Sequence, residues 1–137
     1  MPKHVPQGSE GSNPFGDLIG LSFSKIEDGR SQCQLLVMDD LHNPYGVVHG
    51  GVIYSLADTA MGGALYSRMR ENERCVTVEM KVSYFEAVTS GALDCTAEVV
   101  HRSRKLGYME AEVKNGDRLV AKASGTFLIF EAKGEPK

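Results

Sequence analysis

The sequence predicts an α+β domain in which an antiparallel sheet wraps one long central helix. Three observations predict it. Only one long stretch, from His49 to about Arg70, repeats its apolar residues every three or four positions. That stretch is apolar or small on nearly every side as far as Leu65, so it must be surrounded. The rest of the chain falls into β-prone runs separated by Gly, Pro, Asn and Asp.

Taken in order, residues 1–16 are rich in Pro, Gly and Ser and read as a flexible N-terminal arm. Residues 18–29 and 30–38 read as two strands with a turn at Asp28-Gly29. Pro44 and Gly46 make 39–48 a loop. In the helix, Val52, Ile53, Leu56, Ala57, Ala60, Met61, Ala64 and Leu65 carry the period. Glycines 51, 62 and 63 cost helix propensity and allow close neighbours. Residues 75–85 alternate, which places Val76, Val78, Met80 and Val82 on one face and Thr77, Glu79, Lys81 and Ser83 on the other. Runs 91–105, 106–115 and 118–131 follow, with a hairpin turn signalled by Asn115-Gly116. No repeat or second domain is read. Residues 17–132 form a single domain and 133–137 a polar tail.

Composition excludes several classes. The 137 residues suit one core of ordinary size. A net charge of -3 argues against a general nucleic-acid binder. No run of about 18 apolar residues is present, so no membrane span is expected. The first residues do not read as a signal peptide. Cys33, Cys75 and Cys95 are odd in number and widely spaced. They indicate neither a disulfide framework nor a zinc site, and no metal or other cofactor is expected. A cytoplasmic, reducing compartment is the simplest reading.

The chemistry gathers around "NPYGVVHGGVIYSLADTAMGGAL", residues 43–65. Asp58 is the only acid between Asp40 and Glu71, and it stands in the apolar helix. Such a carboxylate needs a hydrogen-bond partner or a function. The local partners are Thr59 and Ser55. Alternatively, burial raises its pKa and makes it a better base or nucleophile. His49-Gly50-Gly51 stands at the helix start, where N–H groups point outward. The Gly50 N–H suits a carbonyl oxygen that becomes an oxyanion, although a plain glycine turn is the simpler reading. Asn43 and His49 are turn and capping residues when taken singly. Gly50 and Asp58 lie eight residues apart, about 12 Å along one helix. Both must approach one reacting carbonyl to within about 3 Å. Two antiparallel helices from two chains satisfy this, so a catalytic pair places the site between subunits.

This stretch resembles the hot-dog-fold acyl-CoA thioesterases, in the branch that includes the phenylacetate-pathway thioesterase. The shared pattern is Asn, Gly three on, His-Gly-Gly, then a small-residue helix with Leu-Ala-Asp. The resemblance covers roughly residues 18–131. It implies the hot-dog fold, a homodimer with shared active sites, and pairing of dimers into a homotetramer. It implies hydrolysis of an acyl-CoA, with an aryl or medium-chain acyl group, to a free acid and coenzyme A. Asp58 would be general base or nucleophile and Gly50 the oxyanion donor. Asn43 would position the thioester or the water, and His49 would orient the loop near the sulfur. Thr77 would hold the water or Asp58.

Coenzyme A brings phosphates. Residues 101–122 carry a local charge of +3 in a chain of -3. "HRSRKLG" is the densest part, so Arg102, Arg104 and Lys105 are candidate phosphate ligands, or else a solvated turn. Tyr45, Tyr54, Met61, Tyr66 and Phe85 line an acyl pocket or belong to the core. The rival readings are an enoyl-thioester hydratase on the same fold and a non-catalytic acyl-CoA sensor.

Overall fold

The computed structural model describes residues 13–133. Most of the expected arm, and the last four residues of the tail, lie outside that range. Asn13 and the residues after it form a short helix rather than loose chain. Helix α1 (Pro14–Ile19) begins where the Asn13 side chain accepts the Gly16 N–H and ends at Gly20, whose φ is 78°. The first strand therefore starts later than expected. It is β1 (Ser22–Glu27), followed by β2 (Arg30–Leu36). Asp28 and Gly29, with φ of 51° and 76°, make the tight turn between them.

A single turn of 3-10 helix (Asp39–Leu41) and the loop lead to helix α2 (Gly50–Tyr66). Strands β3 (Glu73–Tyr84), β4 (Ala92–Arg102), β5 (Leu106–Asn115) and β6 (Arg118–Glu131) complete the chain. The last hairpin turns at Gly116-Asp117, one residue later than the sequence signal, because Asn115 still pairs with Arg118. All six strands form one antiparallel sheet in the order β1-β2-β4-β5-β6-β3. This is the expected hot-dog arrangement.

Helix α2 packs chiefly on β4, β2 and β5. Leu56, Met61, Leu65, Leu93, Met109 and Val113 are fully buried between helix and sheet. Each large apolar side chain so enclosed contributes about 1.5–3 kcal/mol. Small residues let the layers meet. A Cβ on Gly63 would lie 2.5 Å from the Phe23 ring. The buried Ser31 hydroxyl donates to the Ala60 carbonyl at 2.5 Å, tying β2 to the helix.

Two expectations are corrected. The helix is not enclosed all round by the described residues. Gly51 and Tyr54 are exposed, and Ser55, Asp58, Thr59 and Gly62 are half-buried. Their spacing of three, one and three makes a continuous open stripe. The faces of β3 also differ from simple alternation. Thr77 pairs with Phe127 but Glu79 pairs with Thr126, so Val78 is an extra residue. Before this bulge Cys75 and Thr77 lie opposite the buried Ile129 and Phe127; after it Met80 and Val82 lie opposite the buried Gly125 and Ala123. Val76 and Val78 are left outside, 48% and 59% exposed.

The end of the helix is tied to the sheet by one buried pair. The Arg102 guanidinium donates to both Glu73 carboxylate oxygens, at 3.0 and 2.8 Å, and to the Arg68 carbonyl at 2.6 Å. Burial alone would raise the Glu73 pKa. The Arg70 N–H and the Arg102 guanidinium outweigh it and hold the carboxyl below its ordinary value of 4.5. A lowered carboxylate stabilises the fold above its unfolded pKa and loses that contribution as pH falls through the folded one. Thermal melts of wild type and Glu73→Gln should therefore differ by a constant amount near neutrality and converge below pH 4.5. Arg102→Ala strands the buried carboxylate and should cost about 3–5 kcal/mol in denaturant unfolding.

Candidate active site

Asp58 sits on the open stripe of α2, facing the bulged part of β3. Its partner is neither Ser55 nor Thr59. The Ser55 hydroxyl turns back to the Gly51 carbonyl at 2.7 Å. The Thr77 hydroxyl instead donates to Asp58 Oδ1 at 2.6 Å. That bond leaves Oδ2 without a protein partner among the described residues, open toward the uncovered stripe. The bulge makes the bond possible by turning Thr77 to the helix side.

The other end of the helix is built from the 43–50 segment. Asn43 Oδ1 accepts the Tyr45 N–H at 2.8 Å and the Val47 N–H at 3.4 Å. The Asn43 carbonyl accepts the Gly46 N–H at 3.0 Å, and its own N–H donates to Val47 at 2.7 Å. Asn43 is thus the organiser of this loop, which suits the turn role and leaves its amide N–H₂ as a donor. His49 is the N-cap. Its Nδ1 accepts the Gly51 N–H at 2.8 Å, and its backbone N–H donates to Leu41 at 2.8 Å. Gly50 is the first residue of α2, so no carbonyl one turn earlier claims its N–H.

Beside Gly50 lies a cleft of about 350 Å³, lined by Val48, Ile53, Tyr84 and Phe85 among others. Tyr84 was not among the sequence candidates. Its hydroxyl donates to the Gly50 carbonyl at 2.7 Å across 34 residues of chain. Nothing local marks a tyrosine at a strand end for this contact. Of the aromatic and Met candidates, Phe85 lines the cleft, Tyr54 is exposed on the stripe, and Met61 is fully buried core.

The basic residues separate. Arg102 is occupied by Glu73 and the end of α2. Arg104 and Lys105 are exposed at the β4–β5 turn. Arg104 borders a second cleft, about 410 Å³, with Arg70, Glu73, Arg102, Ser103 and Glu131. Among the described residues no cluster of His, Cys, Asp and Glu could hold a metal ion. No helix among them is long and apolar enough to cross a membrane. Cys33 and Cys95 face each other across β2 and β4, both buried and unbonded. Burial pushes the Cys95 thiol up to about 12 and raises Cys33 further, so neither is a nucleophile.

Comparison with known proteins agrees with this architecture. A family model for the thioesterase superfamily matches residues 45–122. The 1,4-dihydroxy-2-naphthoyl-CoA hydrolase of Listeria monocytogenes is 26% identical over 97 residues, covering 71% of this chain and 79% of its own. A conserved protein of Pseudomonas aeruginosa, PA5202, superposes with a TM-score of 0.84 at 39% identity, over 86% of this chain and 94% of its own. A mutant of the phenylacetic acid degradation protein PaaI from Thermus thermophilus superposes at 0.79 with 27% identity, over 85% and 98%. The chain belongs to the thioesterase superfamily and is a thioester hydrolase by class.

If Thr77 serves Asp58, its hydroxyl matters more than its shape. Thr77→Val should lower the rate of thiol release roughly ten- to hundredfold, as for a lost hydrogen bond to a charged group. Thr77→Ser should retain most of it. Equal rates in all three proteins would separate Thr77 from the reaction.

Proposed function

We propose that this chain hydrolyses an acyl-CoA thioester to a free acid and coenzyme A, at a site shared between two copies. One observation carries the reading. Asp58, held by Thr77, and the unclaimed N–H of Gly50 belong to the same helix, and the Asp58 face of that helix is left open. They are about 12 Å apart along it. A second α2 running antiparallel across the open stripe brings the Gly50 of one copy to the Asp58 of the other.

The surroundings support that partner. β3 is an edge strand of 12 residues with exposed Val76 and Val78, and it borders Asp58 through Thr77. A long edge strand with unpaired backbone groups is a template for pairing. Pairing of two β3 edges would cover the stripe and desolvate Asp58, which one chain alone leaves half-buried. Dimers of this kind pair further into a tetramer in our reading.

In the reaction, Asp58 Oδ2 takes a proton from water as the oxygen attacks the thioester carbonyl. The oxyanion receives the N–H of the partner's Gly50. The C–S bond then breaks, and the sulfur leaves as coenzyme A thiolate and is protonated. Direct attack by Asp58 would instead expel the thiolate and form a mixed anhydride, which water then hydrolyses to the free acid, restoring Asp58. Asn43 and His49 offer donors at the mouth of the site. The acyl group enters the cleft of Val48, Ile53, Tyr84 and Phe85, whose apolar and aromatic walls suit an aryl or medium chain. Arg104 and Lys105 meet the nucleotide phosphates, while Arg102 holds the scaffold. The protein acts in the cytoplasm, where acyl-CoA is found.

The shared site has a direct test. His49 has φ of -64° and ψ of 136°, which is what a residue before proline requires. Proline is also tolerated at the first helical position. Gly50→Pro therefore removes the donor while keeping the fold, and should lower kcat by about 10² to 10³. Asp58→Ala should be at least as slow. Co-expressed in one cell, the two variants should recover about a quarter of wild-type activity, because mixed dimers hold one intact site. No recovery, with mixed dimers verified, would place each site within one chain. Thiol release by Asp58→Ala at the wild-type rate would remove Asp58 from the mechanism.

A further inference from the structure

The Gly50–Gly51 peptide is gripped from both ends. Its carbonyl accepts the Tyr84 hydroxyl at 2.7 Å, and its N–H donates to His49 Nδ1 at 2.8 Å. Backbone at a helix start normally leaves the N–H side to solvent or a cap. Here an added phenol bonds the carbonyl side as well. A Cβ at 51 would lie 2.9 Å from His49 Nδ1, so any other residue there must displace the ring. A Cβ at 50 would lie 3.4 Å from the Tyr84 hydroxyl.

We infer that Tyr84 is a positioning residue of the site, acting through the Gly50–Gly51 peptide to hold His49 as an Nε2–H donor. The inference rests on the thioesterase reading for its consequence in the reaction, but not for the contact itself. A nitrogen that accepts an N–H must present its lone pair, so the ring proton resides on Nε2. The chain of bonds runs from the Tyr84 hydroxyl through the peptide to the imidazole. Each donor in such a chain polarises the next, so Nε2–H becomes a stronger donor than in an isolated ring. It is then available to a thioester bound at the start of the helix. The same grip restrains Gly50 Cα, which also carries the peptide whose N–H is the proposed oxyanion donor. Burial, and secondarily Tyr54, raise the Tyr84 pKa above its ordinary value of 10.0. The phenol therefore keeps its proton, and its donor role, through the neutral range.

Tyr84→Phe tests this, since it keeps the ring and deletes the hydroxyl. Two readouts are made on the full chain: steady-state thiol release from acyl-CoA substrates, and nitrogen NMR of the His49 ring with the Gly51 amide. We expect an unchanged melting temperature, kcat lower by about three- to tenfold, and KM within about twofold. We also expect the Gly51 amide to shift and the two His49 nitrogens to become less distinct. Gly51→Ala should reproduce the His49 change by displacing the ring. An unchanged kcat in Tyr84→Phe overturns the inference, as does a fall in kcat matched by a lower melting temperature. If the wild type releases no thiol from any acyl-CoA, the functional reading fails by itself. The NMR then decides the contact: an unaltered His49 signature in Tyr84→Phe overturns the coupling, and an altered one upholds it.

Discussion

One extra residue in β3 decides whether Asp58 has a partner. In a strand, side chains alternate faces, so a single inserted position reverses the facing of all that precede it. Val78 is that position. Without it, Thr77 would share the outward face and Val76 would meet the carboxylate. A carboxylate against valine finds no donor there. With it, a hydroxyl arrives at 2.6 Å, and two valines are turned out along the sheet edge. The bulge therefore links the hydrogen bond of Asp58 to the outward facing of the two valines.

The same helix serves two purposes with different physical demands. Its buried side needs small and apolar residues so that β2, β4 and β5 can close on it. Its open side carries Asp58 and, in the proposed dimer, leaves room for another surface. The alanines serve the buried side, and on the open side Gly51 and Gly62 project nothing into the opening. Its first turn adds a third demand, which glycine meets at 50 and 51. Backbone N–H groups must face outward, and the His49 imidazole needs the space a Cβ would occupy.

Much of this was legible in the sequence, and the reasons are local. The period of Val52 through Leu65 marked the helix. Asp28-Gly29 marked a turn, and the boundaries of β5 and β6 followed from alternation ended by Asn and Gly. Asp58 stood out because it interrupts an apolar pattern. What was not legible depends on residues far apart in the chain. The bulge at Val78 is defined only against β6, so the alternating sequence of β3 gave the wrong facing. The pairing of Arg102 with Glu73 and of Tyr84 with Gly50 spans 29 and 34 residues. The open stripe was missed because an all-round apolar helix reads as enclosed, whatever encloses it. α1 was missed because a Pro- and Gly-rich segment masked its Asn13 cap.

Strand order carries a consequence for the sequence of folding events. β3 precedes β4, β5 and β6 in the chain, yet among the described residues its only strand partner is β6. β1, β2, β4 and β5 can pair in turn as they emerge, but β3 must wait for the last strand. The β3 edge and the Thr77 hydroxyl therefore gain their strand partner only once β6 has emerged. During synthesis the chain would carry its acid for most of its length before the group that orients it is in position.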